Sequence, residues 1–250
     1  MLEKILRVLI VLTMIFHIGC TVSKKVGKHD KTLMIEEHFQ LAYASAERGN
    51  LKEAEREYKE VLKLDPKNLK AHLNLGIIYG KQGKWKDEIS EYKSVIKIDP
   101  YFAEAYYHLG VAYAEKGDLD EALTNYQKAI KINPNYIEAI NNLGNIYFRK
   151  GSFEEAMAQY KRALEIKPNY IKAHYNLGSV YRKIGRLDEA IDSFNRILEI
   201  NPKYGNAHYQ LALIYFSKNE YQLALQHIQS AENLGVKVDP KFLERLNSNR

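Results

Sequence analysis

The chain has 250 residues, 46% of them hydrophobic and 27% charged, which allows one large or two small globular domains and excludes collagen-like, fully disordered and polytopic membrane chains. Its net charge of +6 is uneven: residues 1–34 hold six bases against two acids, so the remaining 216 residues carry only +2 and offer no basic strip for a nucleic acid. The single cysteine, Cys20, cannot form an intramolecular disulfide.

The N-terminus is an address. Lys4 and Arg7 precede Val8–Ile18, an apolar run broken only by Thr13 and His17, and Gly19-Cys20 follows. A charged start, a short apolar run and a small residue at a cut site form the pattern of a secretory signal. The run is too short for a bilayer, whose apolar core of roughly 30 Å needs about 17 to 25 helical residues. The cysteine directly after the run is similar to the lipobox of bacterial lipoproteins, in which the signal is removed and the thiol is acylated. Ile18, Gly19 and Cys20 fit that pattern, while His17 stands where the family usually has Leu. The resemblance implies a signal over 1–19, lipidation at Cys20 and an envelope location facing the periplasm, with Thr21 resembling the outer-membrane sorting class. An uncleaved inner-membrane anchor is the alternative. Residues 20–34 are polar and basic with no apolar period and are expected to form a flexible tether. Their lysines either strengthen contact with anionic lipid by about 1 kcal/mol each near the surface or simply solvate the linker.

Beyond the tether the chain repeats. Pro66, Pro100, Pro134, Pro168 and Pro202 stand 34 residues apart, and Asp or Asn precedes four of them. Each marks a helix stop, because the residue before proline is driven out of the helical region. At fixed offsets stand Leu41, Leu75, Leu109, Leu143, Leu177 and Leu211, each followed by a small residue (Ala42, Gly76, Gly110, Gly144, Gly178, Ala212). Three residues later come Ser45, Tyr79, Tyr113, Tyr147, Tyr181 and Tyr215. A later position holds Ala54, Glu88, Ala122, Ala156, Ala190 and Ala224, with Tyr58, Tyr92, Tyr126, Tyr160, Phe194 and Ile228 four residues on. These spacings put each set on one face of a helix. Between the two sets, Gly49, Gly83, Gly117, Gly151, Gly185 and Asn219 accept the left-handed conformation of a helix end. The unit is therefore two helices of about 13 residues, and the order and period resemble the tetratricopeptide repeat (TPR).

The expected fold is all-α, a right-handed TPR solenoid of six helix-turn-helix repeats over 35–238 (35–68, 69–102, 103–136, 137–170, 171–204, 205–238). A capping helix and tail follow over 239–250, with Phe242, Leu243 and Leu246 closing the last repeat. Glu88 is discordant, a carboxylate where the other repeats have Ala. The presence of Trp85 and Ile89 favours an outward shift of that helix over a partner such as a neighbouring Lys.

The resemblance also implies a surface. In TPR arrays the first helix of each pair lines a concave groove, which carried over repeat by repeat points to Phe39, Tyr43, Asn74, Tyr107, His108, Asn141, Asn142, Asn145, Tyr175, Asn176, Tyr209 and Gln210. Asn and Gln offer a donor and an acceptor each, suited to an extended peptide backbone. Asn74, Asn142 and Asn176 resemble the asparagine ladder of sugar-transferase TPR domains, and the rings suit apolar side chains. The set of Lys, Arg and Asn with which cochaperone TPR domains grip a C-terminal carboxylate is not found; Lys70 and Lys172 match single places only.

Catalysis lacks a signature: there is no Gly-rich phosphate loop, C-x-x-C or HExxH. His38, His72, His174 and His208 stand where the repeat expects a flat ring, so packing accounts for them rather than metal ligation. No cofactor, small-molecule substrate or nucleic acid is expected. The reading is a non-enzymatic adaptor that binds a protein or peptide in the groove and a membrane through its N-terminal lipid. Its plan resembles envelope lipoproteins that assist pilus secretin assembly and others that serve cell-wall enzymes. A membrane-tethered or cytoplasmic adaptor and a glycosyltransferase-associated TPR module are the alternatives.

Overall fold

The computed structural model describes residues 30–248. The expected signal over 1–19, Cys20 and the expected tether up to residue 29 lie outside the described residues. Among the described residues every regular element is helical. Helix α1 covers 30–47, and it is followed by α2 (Leu51–Leu64), α3 (Leu69–Lys81), α4 (Trp85–Ile98), α5 (Ala103–Lys116), α6 (Leu119–Ile132) and α7 (Ile137–Arg149). Then come α8 (Phe153–Ile166), α9 (Ile171–Lys183), α10 (Leu187–Ile200), α11 (Gly205–Ser217), α12 (Tyr221–Asn233) and α13 (Pro240–Asn247). The chain divides into two compact units, Met1–Ala112 and Tyr113–Arg250.

Residues 30–34 differ from the expected tether: they are helical. Ile35 and Phe39 anchor α1 on the core, and Gln40 Nε2 donates to Glu36 Oε1 at 2.7 Å. A helix nucleated there extends over a polar turn easily, because propagation fixes one residue per added bond.

The proline period has a local cause. Asp65, Asp99, Asn133, Lys167 and Asn201 each end a helix with φ between −122 and −143° and ψ between 89 and 100°, the extended region that a following proline demands. Asp99 Oδ1 also accepts the Tyr101 N–H at 2.9 Å, and Asp65, Asn133 and Asn201 accept from the backbone two residues on in the same way. That Asx turn explains why Asp or Asn stands before four of the prolines. Between the paired helices the chain reverses through a left-handed residue. Asn219 holds φ 63° in the last hairpin, the place glycine fills in the others.

In three hairpins a ring closes over a glycine. A Cβ on Gly144 would lie 2.6 Å from Tyr160 Cε1, and one on Gly178 would lie 3.0 Å from Phe194 Cε2. The rings at Tyr58, Tyr92, Tyr126, Tyr160 and Phe194 are at most 2% exposed. Within the first unit α2 packs on α3 and α3 on α4; within the second, α6 packs on α7, α7 on α8, α8 on α9, α9 on α10, α10 on α11 and α11 on α12. At the C-terminal end α13 places Phe242 and Leu246 in one core with Ala212, Ala224 and Ile228.

Glu88 corrects the expectation of an outward shift. It keeps the inward place at 4% exposure while Trp85 is 38% exposed, so the helix has not rotated toward a Trp85 stripe. Space and a donor explain it. A Cβ on Gly80 would lie 2.7 Å from Glu88 Oε1, so glycine on α3 vacates the volume that the carboxylate fills, and Tyr92 OH donates to Glu88 Oε1 at 3.4 Å. Gly80→Ala should therefore destabilise by about 1–3 kcal/mol through overpacking. In a Glu88→Ala background the same change should be neutral or stabilising, since Ala exceeds Gly in helix propensity by about 1 kcal/mol. Urea melts of the four proteins form the cycle, and an equal loss in both backgrounds would show the two residues to be independent.

Candidate functional site

In the second unit α7, α9 and α11 are the first helices of three successive hairpins, and their predicted groove residues form a lateral hydrogen-bond chain. Asn176 Nδ2 on α9 donates to Asn141 Oδ1 at 3.1 Å and to Asn145 Oδ1 at 2.9 Å, both on α7. Tyr160, the core ring of the same hairpin as α7, donates its hydroxyl to Asn145 Oδ1 at 2.8 Å. Asn141 Nδ2 and Asn145 Nδ2 both donate to Asn142 Oδ1 at 3.4 Å. One hairpin further, Gln210 Nε2 on α11 donates to Tyr175 OH on α9 at 3.1 Å. Tyr175 itself stands edge-on to Phe194 at 5.5 Å and to Tyr204 at 6.2 Å.

These contacts sort the predicted residues. Asn141 is 2% exposed and spends its amide on neighbours. Asn142, Asn145, Tyr175, Asn176, Tyr209 and Gln210 are half-buried. Tyr209 stands 6.4 Å from Phe242, so the terminal helix borders this row. Burial holds the Tyr160 phenol well above its ordinary pKa, so it stays a donor at any physiological pH.

The first unit carries the remaining predicted residues separately. Phe39 meets Tyr58 edge-on at 5.5 Å and belongs largely to the core, while Tyr43 is 53% exposed. Asn74 bonds the Tyr58 phenol, whose pKa burial nevertheless lifts to about 12. His108 stacks on Tyr92 at 5.5 Å, meets Tyr107 edge-on at 5.1 Å and lies 3.7 Å from Glu104, whose pKa this contact lowers.

Comparison with known proteins accounts for this arrangement. A TPR repeat profile matches residues 42–83, 81–117, 112–151 and 144–185, and further tetratricopeptide repeat profiles match 171–204 and 193–226. The chain belongs to the tetratricopeptide repeat family. A crystal structure of MamA protein is 32% identical, covers 69% of this chain and 94% of its own, and has a TM-score of 0.59. YrrB, described as a TPR protein with an unusual peptide-binding site, is 21% identical over 71% of this chain and 91% of its own, with a TM-score of 0.57. A tetratricopeptide repeat protein from Parabacteroides merdae is 20% identical over 87% of this chain and 98% of its own, with a TM-score of 0.65. At those identities the last two support the fold alone. No curated protein matches the chain.

The repeats also explain the histidines. In three hairpins the ring place on the first helix meets a residue 19 positions on. His38 Nδ1 lies 2.6 Å from Glu57 Oε2 and His72 Nδ1 lies 2.6 Å from Glu91 Oε2. His174 Nε2 lies 2.8 Å from the Pro168 carbonyl. In the last hairpin His208 Nδ1 lies 2.9 Å from His227 Nδ1, and Tyr215 stacks on His227 at 5.4 Å. Sequence reasoning placed the first-helix histidines but missed these partners; the signal available was a carboxylate or His recurring 19 residues later.

Opposite pH effects follow. Burial, then the charge of His208, lowers His227 to about 4, so its contribution to stability is present above about pH 6.5 and is lost as the pH falls toward 4. The Glu91 bond raises His72, so its contribution is present below pH 6.5 and is lost as the pH rises through its folded pKa. Thermal melts from pH 7.5 to 4.5 should show a smaller acid-side loss of Tm in His227→Gln than in wild type, and a larger one in His72→Gln. Parallel curves for all three proteins would contradict the assignment.

Proposed function

We propose that this protein is an adaptor that holds an extended segment of a partner protein along the first helices of its hairpins, tethered to a bacterial envelope membrane by a lipid on Cys20. The observation that carries the binding part is the row of amides and rings along α7, α9 and α11, held in place by side-chain bonds between adjacent hairpins. Pre-positioned amides lose little entropy on engaging a peptide backbone. The half-buried rings of Tyr175 and Tyr209 offer apolar contact beside them. YrrB, which shares the fold, is a TPR protein with a peptide-binding site of its own.

The lipid anchor rests on sequence: the short apolar run followed by Gly19 and the only cysteine. A signal, a lipidated cysteine and six repeats make a plan suited to assembling envelope complexes such as pilus secretins, and that class of process is where the adaptor is proposed to act.

Two measurements on the full chain made in a Gram-negative host test the reading. Intact mass should show loss of residues 1–19 with added acyl mass and membrane retention, both abolished by Cys20→Ala; an unmodified full-length product would remove the anchor. Peptides selected from a displayed random decapeptide library should bind about tenfold more weakly to Asn142→Ala/Gln210→Ala, with the helical melt near wild type. Unchanged affinity would move the site off this row. Asn176 is the poorer probe, because its bonds to Asn141 and Asn145, at 3.1 and 2.9 Å, are shorter than the 3.4 Å bonds those residues make to Asn142, so its removal costs more stability.

A further inference from the structure

The first helix of a hairpin has a face made to meet the hairpin before it. On α3, α7, α9 and α11 that face is an alanine, a leucine and a branched residue at spacings of four and three, and on α5 it is Ala105, Leu109 and Ala112, all at most 4% exposed. The alanines Ala71, Ala139, Ala173 and Ala207 are 0% exposed, the leucines Leu75, Leu143, Leu177 and Leu211 are 0–6% exposed, and Ile78, Ile146, Val180 and Ile214 are 0–2% exposed. The preceding helices α2, α6, α8 and α10 pack against them. On α1 the same places are Glu37, Leu41 and Ala44, all exposed, with Leu41 at 46%. Among the described residues no element precedes α1.

That face is neither an ordinary polar cap nor a copy of the internal interface. Met34, Glu37, Leu41, Ala44 and Arg48 follow one another at spacings of three and four, the seam of a two-helix pairing, and all are exposed. Its pattern is also self-complementary. When two copies of α1 run antiparallel about a two-fold axis between Ala42 and Tyr43, Glu37 lies opposite the second copy's Arg48 and Leu41 opposite the second copy's Ala44. The alanine lets the leucine approach closely, and each pair occurs twice because a two-fold interface repeats every contact. Among the described residues neither the Glu37 carboxylate nor the Arg48 guanidinium forms a hydrogen bond or ion pair within its own chain. A partner carrying one sign of charge would be attracted at one end of this face and repelled at the other.

We infer that α1 is a self-association surface, on which two copies of this chain pair through antiparallel α1 helices. An 18-residue helix is roughly 27 Å long, and a single helix pair of that length stays at or below the about 1,200 Å² of a stable interface, so a dissociation constant in the tens of micromolar is expected.

The test is sedimentation velocity of the full chain in mild detergent from about 1 to 200 µM. Wild type should move from monomer to dimer across that range. Glu37→Arg and Arg48→Glu should each weaken association by about tenfold, since every attractive pair becomes repulsive. Glu37→Arg/Arg48→Glu should restore it to within about threefold of wild type. Leu41→Asp should abolish it, and thermal melts confirm that all four variants fold. A wild type that stays monomeric throughout, as when residues before 30 cover α1 in cis, overturns the inference. So does a dimer indifferent to the single reversals, which would associate elsewhere, or a double reversal no better than either single.

Discussion

Every feature of this molecule depends on how closely the two helices of a hairpin approach. That distance is set by a ring lying over a residue with almost no side chain: Tyr160 over Gly144, Phe194 over Gly178, Tyr92 over Gly76. The ring is fully buried, so its area supplies much of the apolar driving force of the hairpin, and the small residue fixes where the ring can sit. Neither helix can bury its other face alone, so within each unit a hairpin takes its neighbour as partner. The ring place thus determines where the first helix stands relative to its neighbours, and with it the placement of every side chain in the candidate site.

The link from packing to surface is direct at Tyr160. The ring belongs to the core, yet its hydroxyl reaches Asn145, which in turn accepts from Asn176 on the next hairpin. One phenol therefore couples the inside of one hairpin to the lateral contact between two. A buried amide such as Asn141 tolerates few alternative arrangements, because a shift of one helical turn would leave its donors and acceptors unpaired at about 1–3 kcal/mol apiece. The amide chain is then as much a register device for α7 against α9 as a set of ligands in waiting.

This dual use explains what could be read in the sequence and what could not. The proline period, the left-handed turn at Asn219 and the ring and alanine places are legible because each is a local conformational or periodic requirement. A side chain's choice of partner is not local. Asn141 and Asn176 read as peptide-facing, since spacing alone cannot say whether an amide points at a ligand or at the neighbouring hairpin. The Glu88 arrangement was hidden for a similar reason: its answer lies on another helix, in the missing side chain of Gly80. A clue was present, because the equivalent places in the other repeats hold Ala46, Ala114, Phe148, Arg182 and Phe216, and glycine stands only where the carboxylate does. The helical start at residues 30–34 is not legible because polar composition reads as a linker, whereas helix extension there depends on Ile35 and Phe39 downstream.

The two ends of the repeat series solve one physical problem differently. After the last hairpin the exposed core is closed by the chain's own α13, with Phe242 and Leu246 packed in one core with Ile228 and with Phe216 beside Phe242 and Arg245. Before the first hairpin nothing described performs that task, and the chemistry of the face has changed instead. An invariably buried alanine place becomes Glu37, while Leu41 and Ala44 keep the identities that Leu109 and Ala112 have when buried on α5. Full solvation would have called for a polar residue at Leu41 as well, and full continuation of the series would have kept the alanine at 37. A face that retains the central leucine and the small residue beside it but places opposite charges at its two ends meets neither requirement. It does meet the requirement of a surface buried part of the time against a helix of the same composition running the other way.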